Sequence, residues 1–319
     1  MITRLVLWVF FVQILLLPGC IGNDGETLPS ESPRIALVMK SLANEFFVNM
    51  ADAAQIHQSE NSQQYSLIIN GIRNESDITQ QVSIIDQMIA AQVDAIVIAP
   101  ADSKALVPAL ARANQAGIIL VNIDNRLDAS VLSEFDLVIP HVGPDNKEGA
   151  RKVGDYLASI LAAGDEVAIL EGIVSSINSQ ARRDGFEEAA NARGLIISTI
   201  QSASWEQTKA AEIISAVLTQ HPRLKGVMAA NDNMALGALS AIKQLGRLDE
   251  IEVVGFDNIS AVNKLVREGE ILATADQYGD LLAVYGIEFA LDTLAGKEVE
   301  HGRKTPVDLI TRQILQGRD

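Results

Sequence analysis

From Arg34 onward, the chain alternates between short apolar runs rich in β-branched residues and longer Ala-rich stretches with helical spacing. Buried parallel strands have this apolar character, whereas apolar residues at i, i+3, i+4 and i+7 indicate amphipathic helices. Ile78, Val82 and Ile85, for example, fall on one helical stripe. The predicted strands are residues 35–39, 65–70, 95–99, 118–123, 138–140, 166–170, 195–200, 226–229 and 252–256.

This alternation of strands and helices predicts an α/β fold with parallel sheets and helices on both faces. About nine strands are too many for one sheet domain, and a chain of 319 residues has the length of two domains at roughly 100–200 residues each. No Pro/Gly-rich linker interrupts the body of the chain. The pattern therefore favours two doubly wound, Rossmann-like lobes that are not simply joined end to end by one linker.

Polar residues follow several of the apolar runs. In open α/β sheets, ligands bind beyond the carboxyl ends of the strands, so these positions are candidate contacts. Any one of them is more often a turn or cap residue. Together they could line one cleft with donors and acceptors and no dominant charge, which suits a neutral, polyhydroxylated ligand. The strand-exit residues are Lys40 and Asn44, Asp124 and Asn125, Asn231 and Asp232, Asp257, and, after a further apolar run over residues 271–275, Asp276 and Gln277.

Three aromatic residues lie next to these exits. Phe46 and Phe47 begin a predicted helix, in which adjacent positions differ by about 100° in direction. One ring can then pack beneath the sheet, while the other lies at its edge or projects over the strand ends. Trp205 follows the run 195–200 and offers a flat face with a hydrogen-bond donor. Either these aromatics stack on the C–H faces of a sugar ring, or all three belong to the core.

Charge and missing motifs narrow the function. Lys and Arg total 25 against 41 Asp and Glu, a net charge of −16 that repels phosphate backbones and disfavours a nucleic-acid partner. The chain has no phosphate-binding Gly-x4-Gly-Lys-Ser/Thr loop and no Gly-x-Ser-x-Gly nucleophile turn. Its four histidines form no metal-ligand spacing, so no metal or cofactor is expected. Asp102, Ser103 and Asp145 are interpreted as helix N-caps. A carbohydrate-active enzyme remains an alternative without an identified nucleophile.

The N-terminus predicts export. Arg4 precedes an apolar run over residues 5–17, which is shorter than the roughly 20 residues that span a bilayer. This pattern is typical of a secretory signal peptide, here residues 1–19. The run ends at Cys20, the only cysteine, and resembles a bacterial lipoprotein signal in which Cys20 is lipidated. Residues 20–33 would form a flexible tether to the membrane, at the periplasm or cell surface. An ordinary signal peptide with an incidental cysteine is the alternative.

Six segments carry a resemblance to a known family. They are, in order, LANEFF, VNIDNRLD, EGIVSSINSQARRDGF, SASWEQTKA, AANDNMALGAL and VVGFDN. Together they resemble the periplasmic sugar-binding proteins of ABC transporters, in particular the ribose- and allose-binding proteins. The likeness runs from about residue 34 to 309 and is shared with the effector domains of LacI-type repressors. A signal peptide stands where those repressors carry a helix-turn-helix, which favours the exported proteins.

The resemblance implies a type I periplasmic binding protein fold, with two lobes joined by three crossovers. Lobe 1 would comprise residues 34–144 and 278–308, and lobe 2 residues 145–277 and 309–319. A monosaccharide, either a hexose such as allose or a related pentose, would bind between lobes that close by hinge motion. A monomeric lipoprotein would then deliver it to the membrane subunits of an ABC permease. The alternative is a sugar or signal receptor that feeds a membrane sensor kinase or chemoreceptor.

The resemblance also assigns ligand contacts. Asn44 and Asp124 would bond hydroxyls, Phe47 and Trp205 would stack on opposite faces of the sugar, and Arg182 would donate to a hydroxyl or ring oxygen. The full set is Lys40, Asn44, Phe46, Phe47, Asp124, Asn125, Arg182, Trp205, Asn231, Asp257 and Gln277.

Three departures from the ribose binders bear on the choice of sugar. Ribose binders carry an arginine at the position of Asn125, and Lys40 and Trp205 resemble the allose-binding pattern instead. A pyranose hexose is therefore favoured over ribose. Arg126 could replace the missing arginine from one position further on, or it could be a solvated surface residue.

Overall fold

A computed structural model of the chain describes residues 32–299 and 302–317. The predicted signal peptide, the predicted lipidation site Cys20 and most of the predicted tether lie outside these residues. Within them are twelve strands: β1 (Arg34–Ser41), β2 (Ser66–Ile72), β3 (Ala95–Ile98), β4 (Ile119–Ile123), β5 (His141–Pro144), β6 (Glu166–Glu171), β7 (Ile196–Ser202), β8 (Leu224–Ala229), β9 (Glu252–Val254), β10 (Ala273–Asp276), β11 (Gly302–Thr305) and β12 (Asp308–Thr311).

Helices connect most of these strands, and in the described part of the chain none of them is both long and apolar enough to cross a membrane. The same residues contain eleven helices: α1 (Glu45–Glu60), α2 (Ile78–Ala90), α3 (Val107–Gln115), α4 (Ala129–Glu134), α5 (Asn146–Ile160), α6 (Ile177–Ala192), α7 (Gln207–Gln220), α8 (Asp232–Gln244), α9 (Ser260–Glu268), α10 (Gly279–Leu294) and α11 (Arg312–Gln316).

The strands form two six-stranded sheets. The first has the order β11-β5-β4-β3-β1-β2 and is parallel throughout. The second has the order β12-β10-β9-β8-β6-β7 and is parallel except for β12, which runs antiparallel to β10. The chain passes between the sheets three times: after β5, after β10 and between β11 and β12. Two doubly wound lobes are thus confirmed, while the residue numbers of the lobe boundaries stay a prediction.

Helices cover both faces of the first sheet, as the alternation of residues along β1 illustrates. Ile35 and Leu37 face a core cluster that includes residues of α1 and α10, whereas Ala36 and Val38 face a second cluster that includes residues of α2 and α3. Successive side chains of a strand point to opposite faces, so a strand between two helical layers is apolar along its whole length. This burial explains why the apolar runs located most strands correctly.

Three strands differ from the sequence prediction. The run 138–140 is not a strand: Val138 is 81% exposed, and β5 begins only at His141, which pairs with Asn122 of β4. An apolar residue there was mistaken for a buried one. The strands β11 and β12 were not predicted, because both lie at a sheet edge and their sequences are largely polar.

The predicted caps are partly confirmed. Asp145 caps α5 by accepting a hydrogen bond from the Glu148 N–H at 3.1 Å. Asp102 and Ser103 do not cap a helix, because α3 begins later, at Val107. Asp102 instead accepts from two backbone N–H groups of the turn that follows it. Its other carboxylate oxygen is therefore available to the facing lobe.

Candidate ligand-binding site

A cavity of about 250 Å³ lies at the carboxyl ends of both sheets. Ten of the eleven predicted ligand residues line it, and the first sheet and the second sheet each contribute. Its twelve lining residues are Lys40, Asn44, Phe46, Phe47, Glu75, Asp124, Asn178, Arg182, Trp205, Asn231, Asp257 and Gln277.

Two asparagines reach the cavity because they cap helices. The Asn44 side chain accepts from the Phe46 N–H at 3.0 Å, and the Asn231 side chain accepts from the Met234 N–H at 2.9 Å. An N-cap uses the side-chain oxygen for the helix, so the amide NH2 group of each asparagine is directed away from it. The Asn44 amide donates to Glu75 at 3.0 Å. The caps therefore fix two hydrogen-bond donors at the cavity wall.

The backbone at three predicted ligand residues is unusual. Asp124 has a φ of 59°, Trp205 of 69° and Asp257 of 125°, values that L-residues rarely adopt. Such conformations cost roughly 1–3 kcal/mol each and are concentrated at functional sites. Each of the three follows a strand, where the chain turns sharply and directs the side chain over the sheet edge. The strain supports a functional role for these strand exits.

Aromatic rings form two walls of the cavity. Phe46 and Phe47 pack edge to face with centroids 5.1 Å apart, and both are buried while both line the cavity. The expectation that one ring would pack beneath the sheet while the other lay at its edge or over the strand ends is corrected, because both rings belong to the buried core and both line the same cavity. The Lys40 ammonium lies 5.6 Å from the ring centroids of Phe47 and Trp205, which come from different lobes. Flat apolar surfaces thus flank the charged centre.

Oppositely charged side chains meet in the cavity. Lys40 Nζ lies 3.1 Å from Asp124 Oδ2, and Arg182 Nη1 lies 3.5 Å from Asp257 Oδ1. Gln277 also donates to Asp257, at 2.6 Å. Burial raises the pKa of Asp257 and lowers the pKa of Arg182, although their attraction opposes both changes. Among the described residues, no group of three or more His, Cys, Asp or Glu side chains is placed to hold a metal ion.

Glu75 and Asn178 line the cavity but were not predicted. Burial raises the pKa of the Glu75 carboxyl to about 7, although Lys40 and the hydrogen bond from Asn44 oppose this. Glu75 follows β2, so the strand-exit rule applied to that strand would have identified it. Asn178 lies one helical turn before Arg182 on α6, a spacing that places both on one face. That spacing was the available signal for Asn178.

Asn125 is the one predicted ligand residue that does not line the cavity. Its side chain is fully buried and has protein partners: it donates to Pro100 O at 3.1 Å and accepts from Ser103 Oγ and the Asn178 N–H, each at 3.3 Å. Its amide therefore joins the two lobes. Arg126 does not line the cavity either, and its guanidinium lies 3.2 Å from His141 Nδ1.

Several buried polar atoms of the cavity have no hydrogen-bond partner in the described part of the chain. Six such side-chain atoms are found there, and four belong to cavity residues: Asp124 Oδ2, Asn178 Oδ1, Trp205 Nε1 and Gln277 Oε1. Asp124 Oδ2 faces Lys40 as an ion pair without hydrogen-bond alignment. An unpaired buried polar group costs about 1–3 kcal/mol, so a set of them indicates a ligand. Three acceptors and one donor match a molecule with several hydroxyls.

Comparison with known proteins identifies the class. Residues 35–298 match the periplasmic binding protein domain family, and the chain belongs to that family. The two-lobed architecture is accordingly the type I periplasmic binding protein fold, as the sequence resemblance implied. Members of this family are substrate-binding proteins of the periplasm.

Three relatives refine this picture. The D-ribose/D-allose-binding protein of Pseudomonas aeruginosa is 51% identical over 285 residues, which cover 88% of this chain and 89% of that protein. A solute-binding protein of an ABC transporter from Burkholderia multivorans, with an unknown ligand represented as α-D-erythrofuranose, is 51% identical to this chain with a TM-score of 0.86. The match covers 88% of this chain and 99% of that protein. A periplasmic solute-binding protein of an ABC transporter from Actinobacillus succinogenes, with bound D-allose, is 33% identical to this chain with a TM-score of 0.85. The match covers 90% of this chain and 100% of that protein.

Proposed function

We propose that this protein captures one monosaccharide of the ribose and allose class between its lobes and delivers it to the membrane subunits of an ABC permease. The observation that carries the proposal is the set of four buried polar atoms without a hydrogen-bond partner in a cavity that the rings of Phe47 and Trp205 also line. A sugar offers hydroxyls to the polar atoms and C–H faces to the rings. The names of the relatives support the same class of ligand.

The lining of the cavity suits a sugar ring, because the rings of Phe47 and Trp205 both lie near the charged centre of the cavity. Within the class, Lys40 and Trp205 favour a pyranose hexose such as allose over ribose. Selectivity would come from the charged groups: a hydroxyl with inverted configuration would leave Asp124 or Arg182 without its hydrogen bond, and an unpaired buried charge is costly.

Closure of the lobes would couple binding to delivery. Polar contacts already join the lobes near the cavity, such as the Ser260 N–H, which donates to Glu45 Oε1 at 2.8 Å. A ligand that touches both lobes adds contacts available only in the closed form, and so shifts the population towards it. The permease would distinguish this closed form from the open one.

The remaining features of the proposal concern the setting of the protein. Lipidation of Cys20 would anchor a monomer to a membrane of the periplasm or cell surface through the tether 20–33. The protein would bind its sugar without converting it. The lobes would divide at residues 144, 277 and 308, next to the three crossovers.

The first test is isothermal titration calorimetry of the mature protein with D-allose, D-ribose, D-glucose and myo-inositol. We expect D-allose or D-ribose to bind, and D-glucose, which differs from D-allose only at C3, to bind at least about tenfold more weakly, a difference of about 1.4 kcal/mol. Recovery of unchanged sugar after prolonged incubation checks for catalysis. If none of the sugars binds, the proposal is wrong. If the ATPase activity of the reconstituted permease does not change when the sugar-loaded protein is added, a sensory receptor is favoured instead.

A further inference from the structure

The position of the Asp124 carboxylate depends on an unusual backbone conformation. Asp124 follows β4 directly and has a left-handed φ of 59°. Two backbone contacts hold it there: its N–H donates to Val142 O at 3.1 Å, and its carbonyl oxygen lies 3.0 Å from Nε2 of His141. Both partners belong to β5, the neighbouring strand. The position of the Asp124 carboxylate, a predicted ligand contact, is therefore set by the neighbouring strand β5.

The two nitrogens of the His141 ring are both engaged. Nε2 faces the Asp124 carbonyl, and Nδ1 lies 3.2 Å from Arg126 Nη2. A carbonyl only accepts and a guanidinium only donates, so one arrangement satisfies both: a neutral ring with its proton on Nε2. Burial lowers the pKa of His141 to about 4, and the Arg126 charge acts in the same direction, whereas Asp124 opposes it. The ring is neutral around pH 7.

The space for this ring is provided by a glycine. A Cβ atom on Gly143 would lie 2.5 Å from Cε1 of His141 and 3.3 Å from the Asp124 carbonyl oxygen. No larger residue fits there without displacing the ring from the Asp124 carbonyl. The chain thus keeps a close contact between β5 and the exit of β4.

Arg126 approaches His141 from the outer side. It lines a separate cavity of about 690 Å³ together with two basic residues of β11, Arg303 and Lys304. Each of these has a carboxylate nearby: Arg303 lies 3.6 Å from Glu288, and Lys304 lies 3.4 Å from Asp145. Arg126 contacts the imidazole instead. The charged residues of β11 therefore have their own partners, and Arg126 is the cation that orients His141.

We infer that His141 is a positioning residue for sugar binding, which holds Asp124 in its binding conformation while Arg126 fixes the tautomer of the ring from the surface. This inference rests on the proposed function. Neither His141 nor Arg126 lines the ligand cavity, so both act through Asp124 and not on the sugar. Arg126 would support ligand binding in this way without the direct contact for which its sequence position made it a candidate.

The test compares variants in sugar affinity and in the free energy of unfolding. His141→Leu removes the donor to Asp124, and we expect about a tenfold loss of affinity, in keeping with one hydrogen bond. His141→Gln keeps an N–H at a similar distance and should recover most of this loss. His221→Leu is the matched control, because His221 lies beside Glu166 and outside the ligand cavity. Urea titrations without sugar check that the variants are folded.

Two further measurements separate positioning from general damage. In an Asp124→Asn background, whose carboxylate is already lost, His141→Leu should cause a much smaller further loss of affinity. Nitrogen NMR of the His141 ring should show the Nε2–H tautomer, and Arg126→Ala should mix the two tautomers. Additive losses, or an unchanged affinity in His141→Leu, would overturn the inference while leaving the proposed function intact. A wild-type protein that binds no monosaccharide would overturn both.

Discussion

At the scale of single residues, the ligand cavity balances buried charges against each other. Lys40 and Asp124 form a nearly inaccessible ion pair, in which each charge depends on the other. Truncating one partner of such a pair leaves the other charge buried and unpaired, which costs more than the pair itself contributes. Binding should therefore be sensitive to a change at either member.

Asp124→Ala should weaken monosaccharide binding at least tenfold, about 1.4 kcal/mol. The variant removes the proposed acceptor for the sugar hydroxyls and leaves Lys40 without its anionic partner. Calorimetry with the sugar identified for the wild type measures the change. Asp249→Ala, at an exposed turn, is the control for loss of one carboxylate. Wild-type affinity in Asp124→Ala would remove Asp124 from the site.

Glu75 makes the cavity sensitive to pH. Its folded pKa of about 7 lies above the ordinary value of 4.5, so the folded protein retains a proton that the unfolded chain releases. The free energy of unfolding should fall as the pH rises from about 4.5 to about 7, and the full penalty is present above that window. Glu75→Gln imitates the protonated form and should be more stable than the wild type at pH 8, by about 3 kcal/mol at most.

Urea unfolding of the sugar-free proteins at pH 4.5 and pH 8 tests this. The difference between Glu75→Gln and the wild type should be small at the lower pH and large at the higher one. Asp232, whose pKa is also raised to about 7 by burial, titrates in both proteins and cancels in the comparison. An equal difference at both pH values would contradict the assignment of the proton to Glu75.

At the scale of secondary-structure elements, the close packing of strand exits sets the positions of the aromatic walls. Gly172 directly follows β6, and a Cβ atom there would lie 2.0 Å from the Trp205 indole. Gly172→Ala must therefore displace the indole, which is held in a strained turn of its own. We expect at least a tenfold loss of sugar affinity, about 1.4 kcal/mol, with a changed tryptophan fluorescence.

Gly317→Ala is the matched control for this substitution. Its new Cβ atom would find only ordinary contacts, the nearest at 3.7 Å from the Gln313 carbonyl oxygen. Its sugar affinity should equal that of the wild type. If Gly172→Ala also binds like the wild type, the Trp205 ring does not need its present position to hold the ligand.

The same scale explains how far the sequence alone predicted the site. The sequence predicted that Asp124, Asn231, Asp257 and Gln277 lie together, because parallel strands bring their carboxyl ends to one edge of each sheet, a consequence of topology that an apolar pattern reveals. The carboxyl edges of the two sheets meet at the cavity that these four residues line. Asn125 also follows a strand, but its side chain does not line the cavity, because its amide is bound by partners that are distant in sequence. Whether a polar side chain at a strand exit faces solvent, a ligand or other protein groups depends on tertiary contacts, which periodicity does not encode.

At the scale of the whole molecule, a row of hydrogen bonds joins the two lobes beside the cavity. We call it the inter-lobe contact; it connects the turn after β3 with the turn before α6. Ser175 Oγ donates to Asp102 at 2.5 Å, and the Ile177 N–H donates to Ser103 Oγ at 3.0 Å. Although burial raises the pKa of Asp102, the hydrogen bonds from Ser175 and the turn lower it below its usual value. The carboxylate is thus charged when the lobes meet.

We expect Ser175→Ala to destabilise the closed form. Hydrogen bonds to a charged group contribute about 1.5–3 kcal/mol, so the sugar affinity should fall about tenfold or more. Because Ser175 does not line the ligand cavity, the loss should come from faster opening, and the dissociation rate should rise while the association rate changes little. Stopped-flow measurements with the identified sugar separate the two rates.

The control for this substitution is Ser159→Ala, since the Ser159 hydroxyl donates within its own helix, to Tyr156 O. Its binding kinetics should match the wild type. A slower association in Ser175→Ala, with dissociation unchanged, would mean that the inter-lobe contact guides the sugar into the open form. Unchanged rates would mean that this contact persists in the open form, and that the ligand contacts alone decide closure.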